Sequence, residues 1–205
     1  MGPRRDVERF DRWAETYDSH WMQRRIFEPV QSTVLDLGQA MVPAPRAVLD
    51  VGCGTGRLLK AASHRFPDAE LAGVDPAPEM VRHARMAAGD GSAIQFREAS
   101  AEALPFPDGQ FELVFSTLTF HHWGDQRGAI KEIARVLAPT GHWILADFLA
   151  TGLMRPIRRL LRMNRFPQRK ALDAMLAPAG LGVVSTRPVA GLLGQVSALA
   201  IARRP

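Results

Sequence analysis

The densest grouping of residues able to do chemistry is VLDVGCGTGR, residues 48–57. Glycines alternate at Gly52, Gly54 and Gly56, after an apolar run and ahead of a helical pattern. Glycine permits tight turns and lets a ligand approach the backbone closely. The helix start that follows offers unpaired amides to an anionic group. The spacing is G-x-G-x-G, not the G-x-G-x-x-G of dinucleotide binders. Asp50 stands just ahead of the loop, where a carboxylate would repel a pyrophosphate but suits a ligand carrying an ammonium. A second apolar run ends in Asp75, about as far downstream as an acid that binds ribose hydroxyls. Together these features describe a nucleoside with a zwitterionic tail and no phosphate.

A second grouping is His121, His122 and Trp123, with Asp147 further on. Histidine titrates near neutrality and suits proton transfer. The bland alternative is that one histidine faces a pocket while the other caps or packs. Trp123 either walls an acceptor pocket or packs, and Asp147 either touches the acceptor or caps a turn. Cys53 is the one cysteine, so no internal disulfide and no thiolate zinc cage can form. No metal-binding cluster is expected. Nor is an Asp/Asn-Pro-Pro-aromatic signature present after the fourth strand; Ser116-Thr-Leu-Thr119 takes its place.

The elements that must position these residues follow from periodicity and breakers. Residues 4–18 and 21–41 read as helices, ended by Pro43 and Pro45. Strands are expected at 47–51, 70–75, 93–98, 111–116 and 142–148. Helices are expected between them at 56–66, 78–88 and 125–137, the last stopped by Pro139 and Gly141. The tail offers a helix near 168–178 and strands near 182–187 and 195–203. Alternation of this kind predicts an α/β fold: a doubly wound, Rossmann-like, seven-stranded, mainly parallel sheet with N-terminal helices and one antiparallel C-terminal strand. Ligands of such sheets sit beyond the carboxyl ends of the strands. Both groupings fall there.

The bulk properties set limits. A length of 205 residues and a hydrophobic fraction of 46% suit one domain spanning 1–205 and no membrane span. The N-terminus lacks an apolar signal core, and a cytoplasmic location is expected. The formal net charge of +5 comes mainly from scattered arginine, so nucleic acid is an unlikely partner. One basic stretch, residues 153–165, falls within a possible lid at 151–170. It reads as a lid, an anionic-substrate clamp, a membrane-surface contact or a helix with a solvated arginine face. Oligomeric state is left open.

The glycine segment resembles the first motif of class I S-adenosylmethionine-dependent methyltransferases. Four further stretches match the methyltransferase type 11 subgroup, which holds quinone-biosynthesis C-methyltransferases and many natural-product methyltransferases: FDRWAETYD at 10–18, VDPAPEM at 74–80, ASAEALPF at 99–106 and the segment 111–123. The likeness covers residues 10–148. It implies S-adenosylmethionine as cofactor, S-adenosylhomocysteine as product and a helical cap over the cofactor site at 1–45. It also implies roles for single residues. Gly52, Cys53, Gly54 and Gly56 belong to the loop beneath the methionine part, with Gly56 serving either the ligand or helix packing. Asp50 favours the ammonium, as does the carbonyl of Ser116. Asp75 accepts the ribose hydroxyls. Pro76 and Met80 sandwich the adenine, and Ala101 meets its edge. Tyr17 closes over the carboxylate. Ser100 stands where the family often has an aspartate, so looser adenine binding is expected unless Glu102 helps. The expected activity is methylation of a small, natural-product or quinone-like acceptor, with His121 or His122 as base. The alternatives are an RNA or protein methyltransferase and a non-catalytic cofactor-binding module.

Overall fold

The computed structural model describes residues 7–8, 11, 25, 27–148, 168–189 and 196–204. Within them, helix α1 (Glu28–Met41) carries a proline in its first turn, where no amide is missed. Its buried Val30, Val34 and Leu37 lie on one face and pack with Gly38 against the sheet. Then come β1 (Ala47–Val51), α2 (Arg57–Arg65), β2 (Glu70–Asp75), α3 (Pro78–Ala88), β3 (Gln95–Glu98) and β4 (Phe111–Thr117). A short 3₁₀ turn at Phe120–His122 leads to α4 (Gln126–Val136) and β5 (Leu137–Phe148). Helix α5 (Arg169–Leu176), β6 (Leu181–Pro188) and β7 (Val196–Arg203) complete the described chain.

The seven strands form one sheet in the order β3-β2-β1-β4-β5-β7-β6. β7 runs antiparallel to both of its neighbours, and the other pairings are parallel. The order reverses between β1 and β4, which opens the crevice where ligands bind in such sheets. Successive side chains of a strand point to opposite faces. Leu49 and Val51 accordingly join the cluster that includes Ile130 and Trp143, while Val48 joins the one that includes Val34 and Leu58. Both faces are therefore covered by helices, as the long apolar strands require.

Two details differ from the sequence expectation. β5 starts at Leu137 and not at His142, because the chain leaves α4 directly into pairing with β4. Phe111 pairs with Leu137 and Leu113 with His142, and the shift between them absorbs the Pro139–Gly141 stretch that reads as a break. β3 is shorter, at Gln95–Glu98. α1 packs on β4, β5 and β7, and its first residue, Glu28, pairs with Arg57 just after the glycine loop. Tyr17 and the basic stretch 153–165 lie outside the described residues. No helix among the described residues is long and apolar enough to cross a membrane.

Two devices fix the loops around the crevice. The Arg135 guanidinium bonds Glu132, Asp108 and the carbonyls of Leu104 and Phe106, and Glu132 accepts the amide of Leu104, so the chain between β3 and β4 is held to α4. Gly56 caps α2 in the left-handed region at φ 78°, and a β-carbon there would lie 2.8 Å from the Phe96 ring. Gly56 thus serves close packing of the loop on β3 and α3. Gly56→Ala should lower stability by about 2–4 kcal/mol through left-handed strain plus overpacking. Urea unfolding checks this, and a loss under about 0.5 kcal/mol would show that the contact relaxes freely.

Candidate active site

A cavity of about 410 Å³ lies over the carboxyl ends of β1, β2 and β4. Its floor is the glycine loop. The amides of Gly52 and Cys53 both donate to the Val74 carbonyl, at 2.8 and 3.0 Å, which stitches the loop to β2. A β-carbon on Gly52 would overlap the Thr119 side chain, so only glycine lets β1 and the segment after β4 meet here. At Gly54 a β-carbon would meet nothing within 4 Å, and the residue borders the cavity.

Asp75 is nine-tenths buried and borders the same cavity. Its Oδ2 accepts the Gly54 amide at 2.9 Å and its Oδ1 the Ala77 amide at 3.0 Å. Burial pushes its carboxyl up to about 6, against the lowering effect of those two amides, with Asp11 adding to the rise. Each oxygen keeps a second lone pair for a ligand hydroxyl. Asp50 is fully buried, and its Oδ1 has no hydrogen-bond partner. Burial first, and Asp75 second, push its carboxyl up to about 8.

The remaining walls come from three loops and from the N-terminal segment. Pro76, Ala77 and Met80 face Ser100, Ala101 and Glu102 across the cavity. Glu102 Oε1 accepts the amides of Gly124 at 2.9 Å and Asp125 at 3.1 Å, so this carboxylate latches the loop ahead of α4. That occupation weakens the expectation that it helps hold adenine. Val7 and Glu8 also border the cavity, and Asp11 Oδ1 accepts the Glu79 amide at the start of α3.

Some expected residues sit elsewhere. Cys53 is buried with its sulfur toward Gly73, and Gly56 packs as described; neither borders the cavity. The Ser116 side chain is fully buried and its hydroxyl accepts the Trp143 indole N–H at 3.1 Å, a bond that does not engage the backbone carbonyl expected at the cofactor. The wall at the end of β4 is instead Thr117, Leu118 and Thr119. Leu118 adopts φ 56°, the one non-glycine residue with positive φ among those described. Positive φ strains an L side chain and clusters at ligand sites. Only its place after a strand pointed to it, because leucine gives no sequence sign of that conformation. Trp123 does both jobs: it borders the cavity and stacks on Trp143.

The two histidines separate. His122 borders the cavity. His121 does not; its Nδ1 bonds Asp147 Oδ1 at 2.8 Å and Oδ2 at 3.0 Å, and its amide bonds Oδ2 at 3.0 Å. Asp147 is 1% exposed and also accepts the Phe148 amide. The two imidazoles lie against each other, centroids 3.9 Å apart. A carboxylate on Nδ1 favours the tautomer in which that nitrogen carries the proton.

The sequence comparisons agree with this geometry. A family model described as a methyltransferase domain matches residues 49–145. A demethylmenaquinone methyltransferase of Thermus thermophilus is 36% identical over 171 residues, covering 70% of this chain and 78% of that protein. A malonyl-[acyl-carrier protein] O-methyltransferase of Halorhodospira halophila is 38% identical over 184 residues, covering 86% of this chain and 61% of the relative. Among solved structures, a SAM-dependent methyltransferase from Aquifex aeolicus has a TM-score of 0.71 at 19% identity, covering 98% of each chain. Relatives of this closeness, the matching domain model and a Rossmann-like sheet with its glycine loop at the switch point together establish that the chain belongs to the S-adenosylmethionine-dependent methyltransferases.

Proposed function

We propose that the chain methylates a small, natural-product or quinone-like acceptor at an atom that must lose a proton, with His121 as the base. The single observation that carries this reading is the His121–Asp147 pair at the ends of β4 and β5, next to the cavity. An already ionised acceptor needs no base, so a carboxylate-oriented imidazole suits a phenol, an enol or an acidic carbon. The Thermus relative, a demethylmenaquinone methyltransferase, supports a quinone-like acceptor.

The residues present fit the cofactor. The unpartnered Asp50 oxygen answers to a cation, the open side of Gly54 to a close backbone approach, and the apolar shelf of Ala77 and Met80 to a purine ring. In this reading Gly52 and Gly54 underlie the amino-acid part, Asp50 favours the ammonium, and Asp75 accepts the ribose hydroxyls. Pro76 and Met80 flank the adenine, while Ser100 and Ala101 meet its edge. When bound, S-adenosylmethionine supplies an electrophilic methyl group on a sulfonium. The chain then has three tasks. The loop ends hold the reacting groups in line, and His121 takes the acceptor proton while Asp147 holds the ring.

Asp75→Ala should weaken S-adenosylmethionine binding by about 2–4 kcal/mol, through loss of charge-assisted bonds to the ribose. It should also lower stability by about 1–3 kcal/mol, since two buried amides lose their acceptor. Calorimetry and urea unfolding measure the two separately, and normal affinity in the variant would remove Asp75 from the cofactor site.

The histidines should divide by kinetics. With a phenolic or quinol acceptor, His121→Ala should cut turnover by roughly 100-fold at unchanged cofactor affinity, with partial rescue by added imidazole. Asp147→Asn should give a smaller loss of the same kind. His122→Ala should instead weaken cofactor binding, because its ring borders that cavity. Normal turnover by the His121 variant would overturn the base assignment.

A further inference from the structure

We propose that Glu102 is a positioning residue for methyl transfer: it ties the turn assigned to the adenine edge to the loop that carries both histidines, so that a seated cofactor fixes the acceptor side of the site. The inference rests on the cofactor reading above and deepens it by giving the nucleoside end a part in placing the base.

The loop between β4 and α4 hangs on two carboxylates from elsewhere in the chain. Asp147 of β5 holds its leading part, accepting the amide of His121 at 3.0 Å and bonding its Nδ1 at 2.8 Å. Glu102 holds its trailing end, where one oxygen, Oε1, accepts the amides of Gly124 at 2.9 Å and Asp125 at 3.1 Å. His122 and Trp123 lie between these anchors, and both border the cavity. The bonds inside the loop are local: the amides of His122 and Trp123 donate to the carbonyls of Thr119 and Phe120, and Gln126 Nε2 donates to the Phe120 carbonyl as well. Such bonds shape a loop without deciding where it sits. Asp147 and the packing of Phe120 and Trp123 on Trp143 refer it to β5. Glu102 refers it to the turn beside the cofactor.

That turn is itself tied down. The Ala99 amide donates to the Asp75 carbonyl at 3.1 Å, and the Ala103 amide to the Ser100 carbonyl at 3.2 Å. Just beyond, Glu132 of α4 accepts the Leu104 amide. Ser100 and Ala101 directly precede Glu102, and all three border the cavity. A base seated on the first two therefore restricts the third. Glu102 then loses less freedom in accepting the two amides, so cofactor binding and closure of the latch favour each other. N–H bonds to a carboxylate are charge-assisted and stronger than neutral ones. In-line transfer needs the acceptor atom and the methyl carbon in near contact, and a misplacement of about 1 Å lowers the rate steeply. The glycine loop and Asp75 stand at the ends of β1 and β2, and the His121–Asp147 pair at the ends of β4 and β5. Glu102 links the two sides through two hydrogen bonds.

Amide hydrogen exchange followed by NMR on the full chain tests this with S-adenosylhomocysteine as probe, and it needs no acceptor. Calorimetry first establishes saturation. The probe should slow exchange at Gly124 and Asp125, and at His122 and Trp123 between the anchors, by roughly fivefold or more. The Gly109 amide, bonded to the Arg135 carbonyl outside the cavity, should not slow in step. In Glu102→Ala the probe should still bind, and the slowing at His122 and Trp123 should be lost. Glu102→Gln keeps an acceptor oxygen at the same reach and should restore most of it. With a quinol acceptor, Glu102→Ala should lower kcat by roughly tenfold or more, while KM for S-adenosylmethionine moves less. A latch with only a structural role would speed exchange in the alanine variant yet leave its response to the probe intact, and that result would overturn the proposal. Unchanged exchange in the saturated wild-type chain, equal slowing at Gly109, or full turnover by Glu102→Ala would do the same. The wild-type measurement decides even where the alanine variant fails to fold. Failure of S-adenosylmethionine and S-adenosylhomocysteine to bind at all would instead overturn the cofactor reading beneath it.

Discussion

The Asp75 carboxylate is the joint on which the site depends. One oxygen holds the Gly54 amide and the other the Ala77 amide, so one side chain fixes both the glycine loop and the turn into α3. The Val74 carbonyl reinforces this by accepting from Gly52 and Cys53. The loop is therefore set by β2 as much as by its own glycines. A buried carboxylate can do this only because amides satisfy it. Its neighbour Asp50 lacks that support, and its Oδ1 is buried without a hydrogen-bond partner.

A second rigid frame stands at the ends of β4 and β5. Asp147 accepts the backbone and ring of His121 together with the Phe148 amide, so the imidazole cannot turn without breaking several bonds. Trp143 behind it stacks on Trp123 and bonds Ser116, which carries the core up to the cavity wall. The glycine loop and the His121–Asp147 pair are thus built on neighbouring parallel strands whose spacing the sheet fixes.

The parts legible in the sequence were those with a backbone reason. The alternation of glycines, the acids closing two strands and the α/β periodicity each follow from local rules, and they locate the crevice and its floor. What the sequence does not declare is which way side chains turn where a strand stops. Strand alternation sends the Ser116 hydroxyl to Trp143, while Thr117, Leu118 with its positive φ, and Thr119 form the wall. His121 and His122 are chemically identical in the sequence. Only the distant Asp147 separates them, and no local pattern announces a partner that far along the chain. Cys53 sits inside the motif but faces Gly73, because the loop must bury one side against β2. Glu102 borders the cavity as expected, and its hold on the Gly124 and Asp125 amides, in a loop 22 and 23 residues downstream, is what no local pattern announces.

The contact between Gly52 and Thr119 has a consequence for how the cavity wall can diversify. The β-carbon position of Gly52 already lies against the threonine side chain, so the two sites share one small volume. A larger residue at 119 has no room to move toward the loop, and any side chain at 52 displaces the threonine. Substitutions at the two positions are therefore epistatic, and the rest of the wall is freer to vary. A library built to reshape this wall gains most from randomising Thr117 and Leu118 while position 119 is restricted to serine, alanine or threonine.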